Sequence, residues 1–151
     1  MNNAEIKEAL SQLEAFGGEG EPSVKARALM QDPIVANRLA VELLQKIDPG
    51  KKPALVLSPA GEASYFGYSA ALASWTRFLY ADVDGAKAAL PSDTEIKQKE
   101  RALVVLDHFD TAVASALLDL LRASQATPLA VLCIAGADVE DVEGVPVLSL
   151  L

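Results

Sequence analysis

The spacing of apolar residues changes from continuous to helical between Ala102 and Arg122. Residues Ala102 to Leu106 form an unbroken apolar run, which is typical of a strand that a parallel sheet buries on both faces. Further along, apolar residues recur at helical spacing, with Asp119 and Arg122 on the opposite side. These apolar positions are Val113, Ala114, Leu117, Leu118, Leu120 and Leu121. The pattern predicts a strand, a short loop and a helix in direct succession.

Strands and helices alternate in the same way over most of the chain. Apolar runs predict core strands at residues 52–58, 78–81 and 128–135, and a final edge strand at 145–151. Helical spacing from Ala4 to Phe16 predicts an N-terminal helix, and a loop rich in glycine follows it. We therefore predict a single α/β domain over residues 1–151, with a mainly parallel twisted sheet flanked by helices and an N-terminal helix and loop in 1–23.

Local signals define two further helices. Asp32 and Pro33 predict a helix start, because aspartate is a favoured N-cap and proline suits the first helical position. The predicted apolar face of this helix is Ile34, Leu39, Val41, Leu43 and Leu44. Small residues between Gly67 and Ser74 predict another helix, one that can lie close to the sheet. The acidic segment 138–144 is expected to be an exposed loop.

Composition narrows the class of protein. A net charge of −8 over 151 residues argues against a nucleic-acid-binding surface, which would need a basic stripe. No apolar run reaches the roughly 18 to 20 residues of a membrane span, and the N-terminus lacks the apolar core of a signal peptide. We therefore expect a cytoplasmic protein that binds neither nucleic acid nor membrane. The one cysteine, Cys133, excludes a disulfide framework and is expected to be a buried thiol.

The candidate functional residues lie between the predicted strand at 102–106 and the helix that follows it. Asp107, His108, Asp110 and Thr111 follow the strand, where an open α/β sheet binds its ligands through free backbone N–H groups at a helix N-terminus. His108 beside two acids suggests a general acid or base, or a metal ligand, but a lone histidine with two acids on a loop is more often a surface hydrogen-bonding group. Asp110 or Thr111 is also a candidate helix N-cap.

The segment LDHFDTAVAS resembles the phosphoribosyl pyrophosphate (PRPP) motif of type I phosphoribosyltransferases, in which a hydrophobic strand leads to two acids and a Thr-Thr-Gly-Gly-Ser-like loop. Asp107 and His108 fall on the two acids, and Thr111 and Ser115 on the first threonine and the closing serine. The family's second threonine and its glycines correspond to Ala112, Val113 and Ala114. Asp110 adds a carboxylate where the family usually has an apolar residue. Valine does not readily adopt the positive φ of a phosphate-binding loop, and Asp110 would repel a phosphate.

Other segments resemble the orotate branch of that family. Residues 59–62, Pro-Ala-Gly-Glu, stand where the family has a glycine-rich pyrophosphate-binding turn before a helix rich in small residues. ARALMQDPIVANRLAVELL resembles the helical segment before the first core strand, and the GVPV ending resembles the last edge strand. The hood strands of that branch are shortened here to GEGEPSVK, and no basic, glycine-rich catalytic loop follows strand 78–81.

The resemblance implies a type I phosphoribosyltransferase fold with a reduced hood. We expect a degenerate, orotate phosphoribosyltransferase-like protein with weak or no catalysis that binds a phosphate or nucleotide-like ligand. One alternative is an active orotate phosphoribosyltransferase, with Asp107 and His108 as catalytic residues and Mg²⁺ held at Asp107 through PRPP. The PRPP-loop contacts would then be Asp110, Thr111, Ala112, Val113, Ala114 and Ser115, and the pyrophosphate-loop contacts Pro59, Ala60, Gly61 and Glu62. Another alternative is a non-catalytic interaction subunit. We expect a homodimer, for which Tyr65, Phe66 and Trp75 suit an interface.

Overall fold

A seven-stranded sheet forms the centre of the computed structural model, which describes residues 1–13, 16–17 and 23–151. The elements along the chain are α1 (Asn3–Gln12), β1 (Phe16–Gly17), β2 (Ser23–Val24), α2 (Ala26–Met30), α3 (Pro33–Leu44), β3 (Leu55–Pro59), α4 (Ser64–Ser74), β4 (Arg77–Asp84), β5 (Lys87–Ala89), β6 (Arg101–His108), α5 (Thr111–Ala123), β7 (Thr127–Ala135), β8 (Asp141–Val142) and β9 (Val145–Ser149). The large sheet has the order β5-β4-β3-β6-β7-β9-β8. Its five central strands are parallel, which confirms the predicted α/β architecture.

Helices cover both faces of the sheet, so the central strands are buried on both sides. Leu103 and Val105 of β6 point into the core formed with α1, α3 and α4. Val104 and Leu106 point into the core formed with α5. This two-sided burial explains why β6 is a continuous apolar run rather than an alternating one. The same holds for β7, where Cys133 is fully buried as predicted and burial raises the pKa of its thiol to about 11.

The predicted close contact between α4 and the sheet is confirmed at Gly67. A Cβ atom added there would lie 1.8 Å from the Oγ of Ser58 on β3. That hydroxyl is buried and donates a hydrogen bond to the carbonyl oxygen of Val105 at 2.8 Å. Glycine is therefore required at this crossing, because any side chain would push α4 away from β3.

The N-terminal third departs from the predictions at two places. The first helix was predicted to reach Phe16, but α1 ends at Gln12 and Phe16 pairs with Val24 in a two-stranded ribbon. The predicted helix start at Asp32 is confirmed, since its side chain accepts a hydrogen bond from the Val35 N–H at 3.2 Å. The apolar face of α3 was partly wrong: Ile34 is 75% exposed and Val41 38% exposed. The residues that face the core are Ala36, Leu39, Ala40 and Leu43. Most of the predicted hood segment lies outside the described residues.

Short edge strands account for the other differences. Segment 138–144 was predicted to be an exposed loop, but Asp141–Val142 forms β8 and pairs antiparallel with β9. On the opposite edge, Asp82 and Asp84 belong to β4 and pair with β5. Val145–Ser149 forms β9 next to β7, so the outermost strand on this side is β8 and not the end of the chain. Among the described residues, no helix combines the length and apolar character needed to cross a membrane.

Candidate functional site

The carboxyl ends of β3 and β6 meet where the order of the strands reverses. β3 is hydrogen-bonded to β4 on one side and to β6 on the other. The chain leaves β3 for α4 on one face of the sheet and leaves β6 for α5 on the other face. In open α/β sheets, the crevice between two strand ends that diverge in this way is the usual ligand position.

Asp107 and His108 form the last two residues of β6. The Asp107 side chain is partly buried and accepts a hydrogen bond from the His108 backbone N–H at 2.7 Å. Burial raises the pKa of the Asp107 carboxyl. The hydrogen bond from His108 lowers this pKa in part, and the negative charge of Glu62 raises it further. The Nδ1 atom of His108 is buried without a hydrogen-bond partner among the described residues. A Cβ atom at Gly136, whose φ is +88°, would lie 2.4 Å from the His108 ring, so this glycine makes room for the imidazole.

The N-terminus of α5 is capped by a carboxylate from its own chain. Asp110 is the N-cap, and its Oδ1 accepts a hydrogen bond from the Val113 N–H at 3.1 Å. The Asp110 carbonyl also accepts the Ala114 N–H at 2.9 Å. A negative side chain therefore occupies the end of the helix that attracts anions. Of the two N-cap candidates, Asp110 takes this role, and Thr111 becomes the first residue of the helix.

The other residues at the PRPP-loop position form the first turns of α5. Thr111 and Ala112 are exposed, whereas Ala114 is fully buried against the sheet. Val113 is half-buried against the same core. Ser115 donates a hydrogen bond to Glu143 at 2.8 Å, and Arg122 pairs with the same carboxylate at 2.5 Å. Within this turn the structure therefore directs Ser115 toward the turn between β8 and β9.

The loop after β3 borders an open cavity. Pro59 ends the strand, Ala60 follows in an extended conformation, and Gly61 has a φ of +83°. Glu62 forms an exposed ion pair with Arg27 of α2. The adjacent cavity has a volume of about 490 Å³, and its lining residues are Met30, Gly61, Glu62, Ser64, Tyr65 and Tyr80.

The two loops predicted from the sequence lie at the same edge of the sheet. The charge of Glu62 acts on Asp107, so carboxylates from the β3 loop and from β6 share one electrostatic environment. In the part of the chain that the structure describes, no three His, Cys, Asp or Glu side chains form a group that could hold a metal ion. Among the described residues, a Mg²⁺ ion at Asp107 would therefore need further ligands from a bound phosphate or from water.

Solved structures that are similar to this chain include phosphoribosyltransferases. The adenine phosphoribosyltransferase from Thermoanaerobacter pseudethanolicus superposes with a TM-score of 0.71 at 16% identity, over 99% of this chain and 98% of that one. The orotate phosphoribosyltransferase from Aeropyrum pernix gives a TM-score of 0.68 at 18% identity, over 96% of this chain and 92% of that one. The UMP synthase of Leishmania donovani gives 0.73 at 12% identity, over 98% of this chain and 36% of that one.

This chain has the type I phosphoribosyltransferase fold. The resemblance inferred from its motifs is thus confirmed at the level of architecture. No protein-family model matches the sequence, and no curated protein matches it either. At 12 to 18% identity, a structural likeness establishes the fold and leaves activity and substrate to be argued from the site.

Sequence reasoning missed several residues that shape this edge of the fold. Arg27 neutralises Glu62 from 35 positions away, and Glu143 binds Ser115 from 28 positions away. Tyr80 lines the cavity from β4. Alternation in β4 could have identified Tyr80, because Leu79 and Ala81 on either side of it are buried. The Arg27–Glu62 ion pair and the Ser115–Glu143 hydrogen bond leave no local signal, since exposed charges occur along the whole chain.

Proposed function

We propose that this protein retains the phosphoribosyltransferase fold but catalyses phosphoribosyl transfer weakly or not at all, and that its crevice binds a phosphate or nucleotide-like ligand weakly. The observation that supports this most strongly is the carboxylate of Asp110 at the N-terminus of α5. A phosphate-binding loop offers free backbone N–H groups to an anion. Here the Val113 N–H already donates to Asp110, and the carboxylate adds a negative charge at the position where a phosphate would bind.

The surrounding charges support the same proposal. Asp107 and Glu62 are both carboxylates at the mouth of the crevice, and the nearby Arg27 is already paired with Glu62. PRPP is a polyanion, and its transfer reaction depends on preorganised positive charge and correct orientation. A site without the loop glycines, the second acid and a basic lid should lose several powers of ten in rate. If Mg²⁺ binds, Asp107 is the carboxylate that would contact it, with PRPP oxygens completing the coordination.

The test is a calorimetric and thermal-shift titration of the full chain with PRPP, with and without Mg²⁺. We expect binding to be weak or undetectable. A ligand at 100 times its Kd would add about 2.7 kcal/mol to the free energy of unfolding, so tight binding would be obvious. Turnover should then be assayed with orotate and with adenine, because the similar structures include enzymes named for each base.

Mg²⁺-dependent PRPP binding with ordinary turnover would refute this proposal and establish the active-enzyme alternative. An ordinary kcat is on the order of 1 to 10³ s⁻¹. Orotate turnover would identify the enzyme as an orotate phosphoribosyltransferase. Adenine turnover would instead place it with the adenine enzymes.

A second candidate function is that of a non-catalytic interaction subunit. One observation favours it: α4 presents large apolar side chains to solvent, among them Trp75, which is 95% exposed. Exposed aromatic clusters of this kind are typical of protein interfaces.

A further inference from the structure

The outer edge of β4 is covered over only part of its length. On its inner side β4 pairs with β3 from Arg77 to Ala81, whereas on its outer side it pairs with β5 only from Asp82 to Asp84. Among the described residues, the stretch from Arg77 to Ala81 therefore has no strand on its outer side. An uncovered stretch of this kind is where an extended chain can add to a sheet.

The free backbone groups at this edge belong to Phe78 and Tyr80. The Arg77 N–H points inward and donates to the carbonyl oxygen of Ala54, before β3, at 3.0 Å. Because neighbouring residues of a strand turn their backbone groups to opposite edges, Phe78 and Tyr80 face outward. Within the described part of the chain, no backbone hydrogen bond reaches these outward groups. Two N–H donors and two carbonyl acceptors are therefore unpaired at this edge.

Pro91 explains why the chain does not cover this edge itself. The pairing of β4 with β5 stops at Asp82 and Ala89, and the same register would place Pro91 opposite Tyr80. Proline has no N–H to donate to the Tyr80 carbonyl oxygen. The chain turns away at this point, and the N–H and the hydroxyl of Thr94 donate to the Pro91 carbonyl oxygen at 3.2 and 2.8 Å.

The turn leaves a cavity beside the free backbone groups. Its volume is about 320 Å³, and its lining residues are Tyr68, Phe78, Leu79, Tyr80, Pro91 and Thr94. The Tyr68 ring is held by an edge-to-face contact with Phe78, with ring centroids 5.5 Å apart. When a strand adds to a sheet, main-chain hydrogen bonds provide affinity and recesses of this kind receive alternate side chains.

Charge favours a basic segment of another protein as the occupant. Residues 77–95 include four acidic side chains, all exposed, on both sides of the free edge: Asp82, Asp84, Asp93 and Glu95. Of the two basic residues in this range, Arg77 already donates to Glu100 at 2.9 Å, which leaves Lys87. A second copy of this chain, with a net charge of −8, would be repelled, whereas a strand that carries lysine or arginine would be attracted.

We propose that the outer edge of β4 binds a basic, extended segment of another protein. This segment adds to the sheet as a strand through the backbone groups of Phe78 and Tyr80. It places one apolar side chain in the neighbouring cavity, and its basic side chains lie among the four acids. The proposal goes beyond the proposed function and does not depend on it, because it uses neither Asp110 nor the end of β6.

The test uses the full chain and the peptide Ac-Lys-Val-Lys-Leu-Lys-Val-amide. We expect saturable binding in a calorimetric titration. Amide hydrogen exchange followed by NMR then locates the peptide. The N–H groups of Phe78 and Tyr80 should exchange at least about tenfold more slowly in the complex, whereas those of Leu79 and Ala81, which already pair with β3, should change little. No phosphorylated ligand is used, so a negative result leaves the proposal about the crevice unaffected.

Two modified peptides test whether the peptide binds as a strand. One carries backbone N-methyl groups on its three apolar residues, and the other carries them on its three lysines, so the two have equal charge and equal numbers of methyl groups. Neighbouring residues of a bound strand face opposite edges, so only one of these sets donates hydrogen bonds to β4. One modified peptide should lose at least about tenfold in affinity, and the other should bind within about threefold of the parent.

Substitutions at the two edges of the sheet test the role of charge. The double variant Asp82→Asn and Asp84→Asn should bind the peptide about fivefold more weakly, since exposed ion pairs are individually weak. The double variant Glu140→Gln and Asp141→Asn is the matched control. It removes the same charge at the opposite edge of the sheet, next to β9, and should change the affinity by less than about twofold.

Four results would overturn the proposal. The first is the absence of saturable binding up to millimolar peptide. The second is a complex in which the N–H groups of Phe78 and Tyr80 exchange as fast as in the free protein. The third is a pair of N-methylated peptides that lose affinity equally or not at all. The fourth is an equal loss of affinity in the two charge variants.

Discussion

Replacing Asp110 separates its role as a helix cap from its charge. Asparagine caps a helix about as well as aspartate, so Asp110→Asn should retain the hydrogen bond to the Val113 N–H and lose only the charge. Asp110→Ala loses both. A carboxylate about 4 Å from a phosphate costs about 1 kcal/mol per unit charge in water, or about 2 kcal/mol for a dianion. Either variant should therefore bind PRPP roughly thirtyfold more tightly than the wild type.

The two variants should differ in stability. Asp110→Ala should lose about 1 kcal/mol with the cap, which lowers the Tm by about 2 to 4 °C for a domain of this size. Asp110→Asn should lose no more than the helix-dipole contribution of about 0.3 to 1 kcal/mol. Calorimetric titration with PRPP and Mg²⁺ measures the affinities, and thermal unfolding measures the stabilities.

A charge-matched control completes this design. Asp93 is exposed in the segment that leads from β5 to the start of β6, away from the carboxyl ends of the strands. Asp93→Asn changes the net charge equally and should leave PRPP affinity within about twofold of the wild type, since distant surface charges are screened. If Asp110→Asn binds PRPP no better than Asp93→Asn, the carboxylate is not the obstacle and the argument from α5 is wrong.

Three further predictions concern stability. Gly67→Ala should lower the free energy of unfolding by about 1 to 3 kcal/mol, because the added methyl group clashes with Ser58. In a double-mutant cycle followed by thermal unfolding, adding Ser58→Gly should recover part of that loss, and purely additive losses would contradict the prediction. Asp107→Asn should raise the Tm at pH 7, because the raised pKa of the folded carboxyl means that its ionisation destabilises the protein. This destabilisation grows as pH increases through the unfolded and then the folded pKa, so the gain in Tm from Asp107→Asn should vanish below about pH 4. A gain that persisted there would contradict the assignment. Glu100→Gln should instead lower the free energy of unfolding at pH 7, by about 1 to 3 kcal/mol, since the Arg77 hydrogen bonds lower the Glu100 pKa. This loss should shrink as pH falls through the folded pKa of Glu100, and a loss that does not depend on pH would disprove the prediction.

The parts of the fold that local patterns encode were predictable. Because β6 is buried on both faces, its sequence is a continuous apolar run, which predicts a strand. The start of α3 was predictable from the local capping signal of Asp32 and Pro33. The short strands β5 and β8 were not predictable, because two or three residues at a sheet edge carry no period. Ile34 was misplaced for a different reason. Apolar character does not tell which side of a helix the core covers.

The candidate site was predictable in position but not in its contacts. The order of strand, acids and helix placed Asp107 and Asp110 at the edge of the sheet where the structure has them. The helical spacing from Val113 and the N-cap candidates Asp110 and Thr111 predicted a helix here, and α5 begins at Thr111 with Asp110 as its cap. The resemblance to the PRPP motif implied a phosphate-binding loop at the same residues, which the structure forms as helix instead. The contact of Ser115 with Glu143 depends on the β8–β9 turn, which is distant in sequence.

Because α5 begins at Thr111, its first turns occupy the position of the PRPP loop, and changes that would let this segment bind a phosphate would destabilise the fold. Ala114 is fully buried and Val113 is half-buried, so two residues at the PRPP-loop position, where the family has its glycines, belong to the hydrophobic core. Installing a glycine pair there would cost about 1 kcal/mol per residue in helix propensity and about 0.8 kcal/mol for each buried methyl or methylene lost. Several kcal/mol is a large share of the stability of a small domain. Anyone redesigning this loop to hold a phosphate would first have to stabilise the rest of the protein.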